Sequence, residues 1–378
     1  MILYSWQETA AMVLAALVID WWIGDPRWRW LTHPVIWIGR WIAWLERKLY
    51  AAAGSSRHVP DAAGAEAGVA ATPERPPAPD ASSAGSAAAQ GQQNGASSAG
   101  MRSPDRSAAS LRRRGIVLTL LTLAVAFGAM WALWYAAKEL HEWLGYAVNT
   151  WFISTTIAVK GLKDAALEVY RPLCAGDLDE ARLKTGYIVG RDTSSLGEDE
   201  LTRATVETVA ENTVDAVVSP LCYALLGGAP LAMLYRAANT LDSMVGYNND
   251  KYRHFGWASA RWDDVMNWIP ARLTGLMLVL AALLAPGLNG RRAAAALRRF
   301  ARLHPSPNSG IPESAVAGAL GIELGGTNIY GGRVSERARM GWPLRPRGRE
   351  DIIRAVRLMY GVSCGIAGGL VCALLLTL

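Results

Sequence analysis

Apolar residues fall in long blocks along the chain. Residues 115–137 (GIVLTLLTLAVAFGAMWALWYAA) and 358–378 (LMYGVSCGIAGGLVCALLLTL) carry no charged side chain. A helix of about 20 apolar residues crosses roughly 30 Å of bilayer hydrocarbon, so both blocks are expected to span a membrane. Three blocks are weaker candidates: 9–23 holds Asp20, 143–160 is interrupted by Asn149, and 268–288 carries Arg272 near its start. Residues 164–170 pattern as a helix that stops at Arg171-Pro172, because a residue before proline is pushed out of the helical region. Residues 177–187 pattern as another helix and 190–193 (GRDT) as a turn. A further helix runs from about 197 to 218 and ends at Ser219-Pro220. Residues 214–235 either cross the membrane or turn back inside it. Gly227-Gly228-Ala229-Pro230 breaks a helix there and favours a broken or re-entrant element lining a polar cavity.

The pattern divides the chain into an N-terminal membrane anchor (1–54), a disordered linker (55–112) and a membrane helical domain (113–378). The domain contains a polar segment (190–272) and a glycine-rich block (307–332). The linker collapses from about Ser55 to Ser110 into Ala, Gly, Ser, Pro and Gln, which cannot bury enough surface to offset chain entropy. It also dilutes the mean hydropathy to +0.14 although 51% of residues are hydrophobic. The expected fold class is therefore all-α: a polytopic membrane helical bundle with cytoplasmic helical loops and a re-entrant or broken helix.

Charge sets orientation. No Lys or Arg precedes Arg27, whereas Arg27, Arg29, Arg40, Arg47, Lys48 and Arg112-Arg113-Arg114 crowd the following segment, which should be cytoplasmic. The stretch from Arg291 to Arg357 gives the same side for the loop before the last span. A net charge of +6 is what such loops produce, and no nucleic-acid partner is implied. Cys174, Cys222, Cys364 and Cys372 have neither disulfide nor zinc spacing.

Three polar constellations interrupt this apolar chain. Arg203, Glu207, Glu211 and Asp215 repeat every four residues and form one helical stripe, with Asn212 beside it. It reads either as a solvated face or, because stacked carboxylates repel unless a cation is present, as a Mg²⁺ site. Arg236, Asn239, Thr240, Asp242, Ser243 and Lys251 suit a phosphorylated ligand or a polar loop at the membrane surface. Arg261, Asp263, Asp264, Asn267 and Arg272 place an amide three and four residues from paired carboxylates. That arrangement serves a shared cation or an ion-pair seal at a helix end. Near the N-terminus, Asp20, Gly24-Asp25-Pro26 and His33-Pro34-Val35 form a further polar series. Pro307-Asn308-Ser309-Gly310 and residues 324–332 give a glycine-rich loop whose amides could cradle phosphate. No Walker-type P-loop is present. His33 and His304 precede proline, a setting that fixes turns.

Together the strings GDP, HPV, GRDT, ETVAENTVDAVVSP (207–220), NTLDSMVGY (239–247), ARWDDVMNWIPARLTG (260–275) and PNSGIPESAVAGALGIELGG (from 307) resemble the adenosylcobinamide-phosphate synthase family of cobalamin biosynthesis, the CobD/CbiB type. The resemblance implies an integral membrane ligase. It joins adenosylcobyric acid to an aminoalcohol phosphate, (R)-1-amino-2-propanol O-phosphate or a relative, using ATP and Mg²⁺. On that basis Glu207, Glu211, Asp215, Asp263 and Asp264 are expected to hold Mg²⁺, and Asp242, Glu211 and Asn212 to serve catalysis. Arg191, Asp192, Arg236, Asn239, Lys251, Arg261, Asn267, Arg272, Ser309 and Gly310 are expected to bind phosphates and substrate. The lipid bilayer and late cobalamin-pathway membrane enzymes are the expected partners. The rivals are a non-catalytic AmpE-like sensor, which predicts degraded acidic and Asn motifs, and a transporter, which predicts paired hydrophobic repeats. Neither prediction matches the chain.

Overall fold

A computed structural model describes residues 3–24, 33–51, 104–330 and 333–377. Asp25-Pro26, Arg27 and Arg29, most of the expected linker, and Gly331-Gly332 lie outside the described residues.

Ser5 starts α1 (Trp6–Trp22). Its hydroxyl accepts from the Glu8 amide at 3.3 Å while the Glu8 carboxylate accepts from the Ser5 amide at 2.7 Å, a reciprocal cap. The buried carboxylate of Asp20 accepts the Val159 amide at 2.9 Å. The acid that interrupts the first apolar block thus neutralises the start of a distant helix. After α2 (Pro34–Ala51), α3 (Pro104–Leu140) begins inside the stretch expected to be linker. Ala108, Ala109 and Leu111 are good helix formers and carry the apolar helix backwards.

The block at 143–160 is two helices, α4 (Glu142–Ser154) and α5 (Val159–Ala175). The latter does not stop at Arg171-Pro172. Pro172 sits in its last turn, where only one ladder bond is lost, and the helix closes at Gly176 in the left-handed region (φ 76°). Asp177 caps α6 (Leu178–Gly186), accepting the Glu180 amide at 3.0 Å.

The helix expected to end at Ser219-Pro220 continues instead. α7 (Glu198–Thr213) passes into one π turn (Val214–Val218) and then α8 (Ser219–Val245). The π turn shifts the hydrogen-bond register, Ser219 N–H reaching Val214 O, so Pro220 lies in a first turn, where its missing donor costs little. Gly228 (φ 62°, ψ −156°) breaks α8 in its middle. Asn149 of α4 fixes the break by accepting the Ala229 amide at 2.8 Å.

The break reverses the chain. Asn239 Nδ2 lies 3.2 Å from Asp215 Oδ2 although the residues are 24 apart, a distance of about 36 Å along a straight helix. The Tyr223 and Tyr235 rings stack across the two arms at 5.2 Å. The element is a broken helix that doubles back, with its polar residues returned to one end.

After α9 (Tyr252–Phe255), α10 (Trp257–Met266) and α11 (Trp268–Leu284) form a pair bent by 47° at Asn267. α12 (Gly290–Phe300) and the fully buried α13 (Gly310–Leu320) follow. The glycine-rich run after α13 is not a phosphate-cradling loop. It forms β1 (Glu323–Tyr330), paired antiparallel with β2 (Arg333–Gly341), and Gly325 (φ 83°) and Gly326 (φ 91°) make the bulge. A side chain at Gly325 would collide with the Ala338 carbonyl. α14 (Glu350–Leu376) ends the fold.

By length and apolar character three helices can cross a membrane, Ala108–Leu140, Glu198–Val245 and Glu350–Leu376, or four if the bent pair is one span. Only 28% of the apolar window is buried in the first and last, against 67% in the middle one. α3 and α14 therefore turn their apolar faces outward, as lipid contact requires, while the broken helix lies inside the bundle.

Candidate functional site

The acidic stripe of α7 has two fates. At its first half Arg203 is buried and donates to the carbonyls of Gly325 (2.5 Å) and Thr327 (2.8 Å) and to Asn328 Oδ1 (2.9 Å). Glu207 Oε1 accepts the Gly325 amide at 2.8 Å, and Oε2 accepts Arg191 Nη2 at 2.8 Å. Arg191 also donates to Asn328 Oδ1. These groups clamp the β-hairpin onto α7, and both oxygens of Glu207 are already engaged.

The second half opens into a cavity of about 410 Å³. Glu211 and Asp215 face it from the end of α7 and the π turn, Asp242 from α8, and Asp263 and Asp264 from α10. The reversal at the break in α8 and the bend at Asn267 are what bring these segments together. Amides hold the carboxylates apart. Asn239 Nδ2 donates to Asp215 and, at 3.5 Å, to Asp263; Asn267 Nδ2 donates to Asp263 at 3.0 Å. Asn267 Oδ1 in turn accepts Ser219 Oγ at 2.6 Å and Tyr235 Oη at 2.9 Å, which fixes the orientation of its amide. The loop before α13 closes the rim. Ser309 Oγ donates to Glu211 Oε1 at 2.8 Å, and Asn308 Nδ2 donates to the Asp264 carbonyl at 2.8 Å. Gly310 lets α13 start against the Ala301 carbonyl and the His304 side chain, where a Cβ would not fit.

Arg272 reaches this rim, its Nη1 donating to Asn308 at 3.3 Å while the guanidinium covers the Trp268 ring. Asn212 borders a second, smaller cavity and donates to the Thr208 carbonyl at 2.9 Å. Seven expected site residues line neither cavity; Asn239, Arg272 and Gly310 touch residues that do, and four stand apart. Lys251 pairs with Glu46 at 2.9 Å, Arg261 is exposed beside Asp264 at 3.6 Å, Asp192 closes a turn on Ser194, and Arg236 lies on the second arm of α8. Among the described residues no three His, Cys, Asp or Glu side chains surround one point closely enough to hold a metal alone.

Arg337 and His304 line the larger cavity although neither was assigned to the site from the sequence. Arg337 projects from β2 between the two cavities; the alternation of Arg337 and Arg339 with Ala338 and Met340 was the available strand signal. Burial opposes its charge, but Tyr330, Glu313, Glu211 and Glu207 outweigh that and raise its pKa. His304 also lines the larger cavity. Its Nδ1 accepts the Ser306 amide at 3.0 Å, so it fixes a turn as expected, while Nε2 faces Glu313 at 3.9 Å. Burial lowers the His304 pKa. Burial, reinforced by Glu207 and Glu211, raises Glu313 well above the usual carboxylate range, and neither of its oxygens has a hydrogen-bond partner.

The chain matches the CobD/Cbib protein family over residues 13–72 and 85–359. It is 42% identical over 357 residues to the cobalamin biosynthesis protein CobD of Geobacter metallireducens, covering 94% of each chain. It is 50% identical over 254 residues to the CobD protein of Klebsiella pneumoniae, covering 67% of this chain and 79% of that one. With the cobalamin biosynthesis protein CbiB of Salmonella choleraesuis it shares 40% identity over 371 residues, 94% of this chain and 99% of the relative. No solved structure matches it. A polar cavity built inside an apolar helical bundle, together with similarity along nearly the whole chain, places this protein in the CobD/CbiB family.

Proposed function

We propose that this chain is a membrane enzyme of cobalamin biosynthesis that joins adenosylcobyric acid to an aminoalcohol phosphate with consumption of ATP. The observation that carries this reading is the convergence of Glu211, Asp215, Asp242, Asp263 and Asp264 with Arg337 on one cavity, in a chain whose relatives bear the name cobalamin biosynthesis protein. A carboxylate is a poor acyl donor. Transfer of a phosphoryl group from ATP makes it an acyl phosphate and releases ADP; the amine then forms the C–N bond, and phosphate and one proton leave. Both steps place negative charge beside the cavity wall, where Arg337 and the Asn308-Ser309 loop stand.

The donor set is oxygen-rich and suits Mg²⁺, which binds through one or two carboxylates together with substrate phosphates and so needs no all-protein cage. Asp215 and Asp263 would hold it, with Asp242 and Asp264 adjacent; Glu207 is left out because its oxygens are engaged. When bound, it would offset charge on the transferring phosphoryl group. Asn239 and Asn267 keep the two carboxylates oriented toward the cavity. Asp242 is the acid best placed to take the proton from the amine, as it lines the cavity from a different helix than the Asp215–Asp263 pair. The cavity opens to the cytoplasm in this reading, because the arginines of α12 and the loop after it belong to the side that carries Asn308 and Ser309.

The test is product formation by membranes carrying the full chain. Adenosylcobinamide phosphate should form only when adenosylcobyric acid, aminopropanol phosphate, ATP and Mg²⁺ are all supplied. No product with all four present would overturn the reading. Labelling of single cysteines placed in residues 236–267 by an impermeant reagent from outside the cell would overturn the cytoplasmic orientation.

A further inference from the structure

Between Trp268 and Leu303 the chain carries six arginines and no Asp, Glu or Lys. Two packed helices, α11 and α12, take up most of this stretch. They run antiparallel, Gly275 of α11 lying against Leu297 of α12 and Gly290 of α12 against Leu283 of α11. Ala271, Thr274, Leu278 and Ala282 of α11 turn inward. On its opposite face Ile269, Leu273, Leu276, Leu280 and Leu283 recur every three or four residues and are 41–61% exposed, an unbroken apolar stripe along the helix. α12 has an outer row of its own. Arg291, Arg298 and Arg302 share one exposed face and make no hydrogen bond or ion pair among the described residues. Arg292 provides the contrast, turning inward to donate to the carbonyls of Gly318 at 2.5 Å and Ala319 at 3.0 Å.

A helix pair of this kind is poorly suited to crossing a bilayer. Leu297 lies on Gly275 near the middle of α11, so in a crossing the neighbouring Arg298 would stand unpaired deep in the hydrocarbon, where a charge is costly. Laid along the bilayer surface, the pair meets no such conflict, because the apolar stripe enters the acyl layer while the arginines stay among the phosphates. Trp262 and Trp268, exposed at the start of the stripe, are of the residue type that settles at that boundary. We infer that α11 and α12 form a membrane-surface element rather than a span, with the α11 stripe in the outer acyl layer and the α12 arginines on the phosphates of anionic lipids. Charge complementarity selects the lipid. A surface of arginines without an acid favours phosphatidylglycerol over a zwitterionic lipid by about fivefold for each arginine close to the headgroups. Asn267 at the start of α11 and His304 after α12 both line the larger cavity, so the element holds one wall of that cavity at the level of the headgroups.

The full chain in lipid nanodiscs tests this without requiring turnover. In a chain whose native cysteines are replaced by alanine, Leu273→Cys, Leu276→Cys, Leu280→Cys and Leu283→Cys would each carry a fluorophore. Lipids spin-labelled near the headgroup or near the chain end then report its depth by quenching. All four positions should lie at one shallow depth. A depth that reaches the bilayer centre near Leu276 would mean a span, and no quenching at any position would mean that a second copy or another protein covers the stripe; either result overturns the inference. A second measurement uses the chain with its cysteines intact. Purified from an equal mixture of phosphatidylglycerol and phosphatidylcholine, it should retain the anionic lipid preferentially. The triple variant Arg291→Gln, Arg298→Gln, Arg302→Gln should reduce that preference at least about fivefold. Its melting temperature in phosphatidylcholine should match the wild type, since these side chains hold nothing else in the fold. Equal retention of the two lipids by the wild type, or an unchanged preference in the folded triple variant, would overturn the inference.

Discussion

Arg203 and Glu207 lie one turn apart on α7, and Glu211 and Asp215 continue the same line of side chains toward α8. In the first pair every charge meets a counter-charge or a backbone dipole of the β-hairpin, and little of either side chain reaches solvent. In the second pair the carboxylates meet a cavity wall, with only a serine hydroxyl and an asparagine amide as neutral partners. The first half is closed and holds two pieces of the fold together. The second half faces the cavity and is the part proposed to meet a cation or a substrate. Identical spacing in a helix thus ends in two different surroundings, and the separating agent is what packs against each turn.

The largest expected effect lies in the closed half. Arg203→Ala leaves the buried Glu207 with Arg191 as its one remaining arginine and the hairpin carbonyls without their donor, and removing one member of a buried pair costs about 3–5 kcal/mol. Thermal unfolding of the purified variant should show a large drop in melting temperature, and an unchanged one would dissolve the distinction between the halves. A smaller effect is expected at the turn that delivers Asn239 to Asp215. Gly228→Ala forces a Cβ into the left-handed region and within 2.6 Å of Asn149 Oδ1, a strain of about 1–3 kcal/mol. Stability and turnover should fall together there, because the open half depends on the reversal of α8. Turnover at the wild-type rate would show that the Asn239–Asp215 contact is dispensable.

The smallest effect concerns the pH dependence behind the open half. Glu313 holds its proton more tightly folded than unfolded, so stability is lost as pH rises from the ordinary Glu value near about 4.3 through its raised folded value. Glu313→Gln keeps the shape and removes the titration. Its melting temperature relative to the wild type should rise between pH 5 and pH 8, and a pH-independent difference would mean that Glu313 is ionised in the folded chain.

The parts of this architecture written in local pattern were legible in the sequence. α3 and α14 each contain a long uncharged apolar run, and the Gly227–Pro230 string marks the break in α8. The contents of the cavity were partly legible, since Glu211, Asp215, Asp242, Asp263 and Asp264 all belong to strings that stand out in an apolar chain. What local pattern could not carry was the division of the stripe. Glu207 differs from Glu211 through the Gly325 amide, 118 residues away, and the strand holding that amide is disguised by two glycines that serve a bulge. The same disguise hid Arg337. Arg236 and Lys251 were read from a segment that mixes amide, acidic and basic groups and Asp192 from the GRDT string, and the fold pairs Lys251 with Glu46 and turns Asp192 onto Ser194. Pro172 and Pro220 misplaced two helix ends because proline near a helix terminus removes little that the helix needs.

The most direct test compares Glu207→Gln with Glu211→Gln, measuring melting temperature and turnover per folded molecule in the four-component ligation assay. Glu211→Gln should melt near the wild type and lose about 10²–10³-fold in turnover, the scale on which one oriented electrostatic group acts. Glu207→Gln should melt markedly lower, with Arg191 and Arg203 left short of negative charge, while the folded fraction still turns over. The reverse outcome, turnover lost in Glu207→Gln at an unchanged melting temperature and kept in Glu211→Gln, would contradict the division of the stripe into a clamp and a reactive wall.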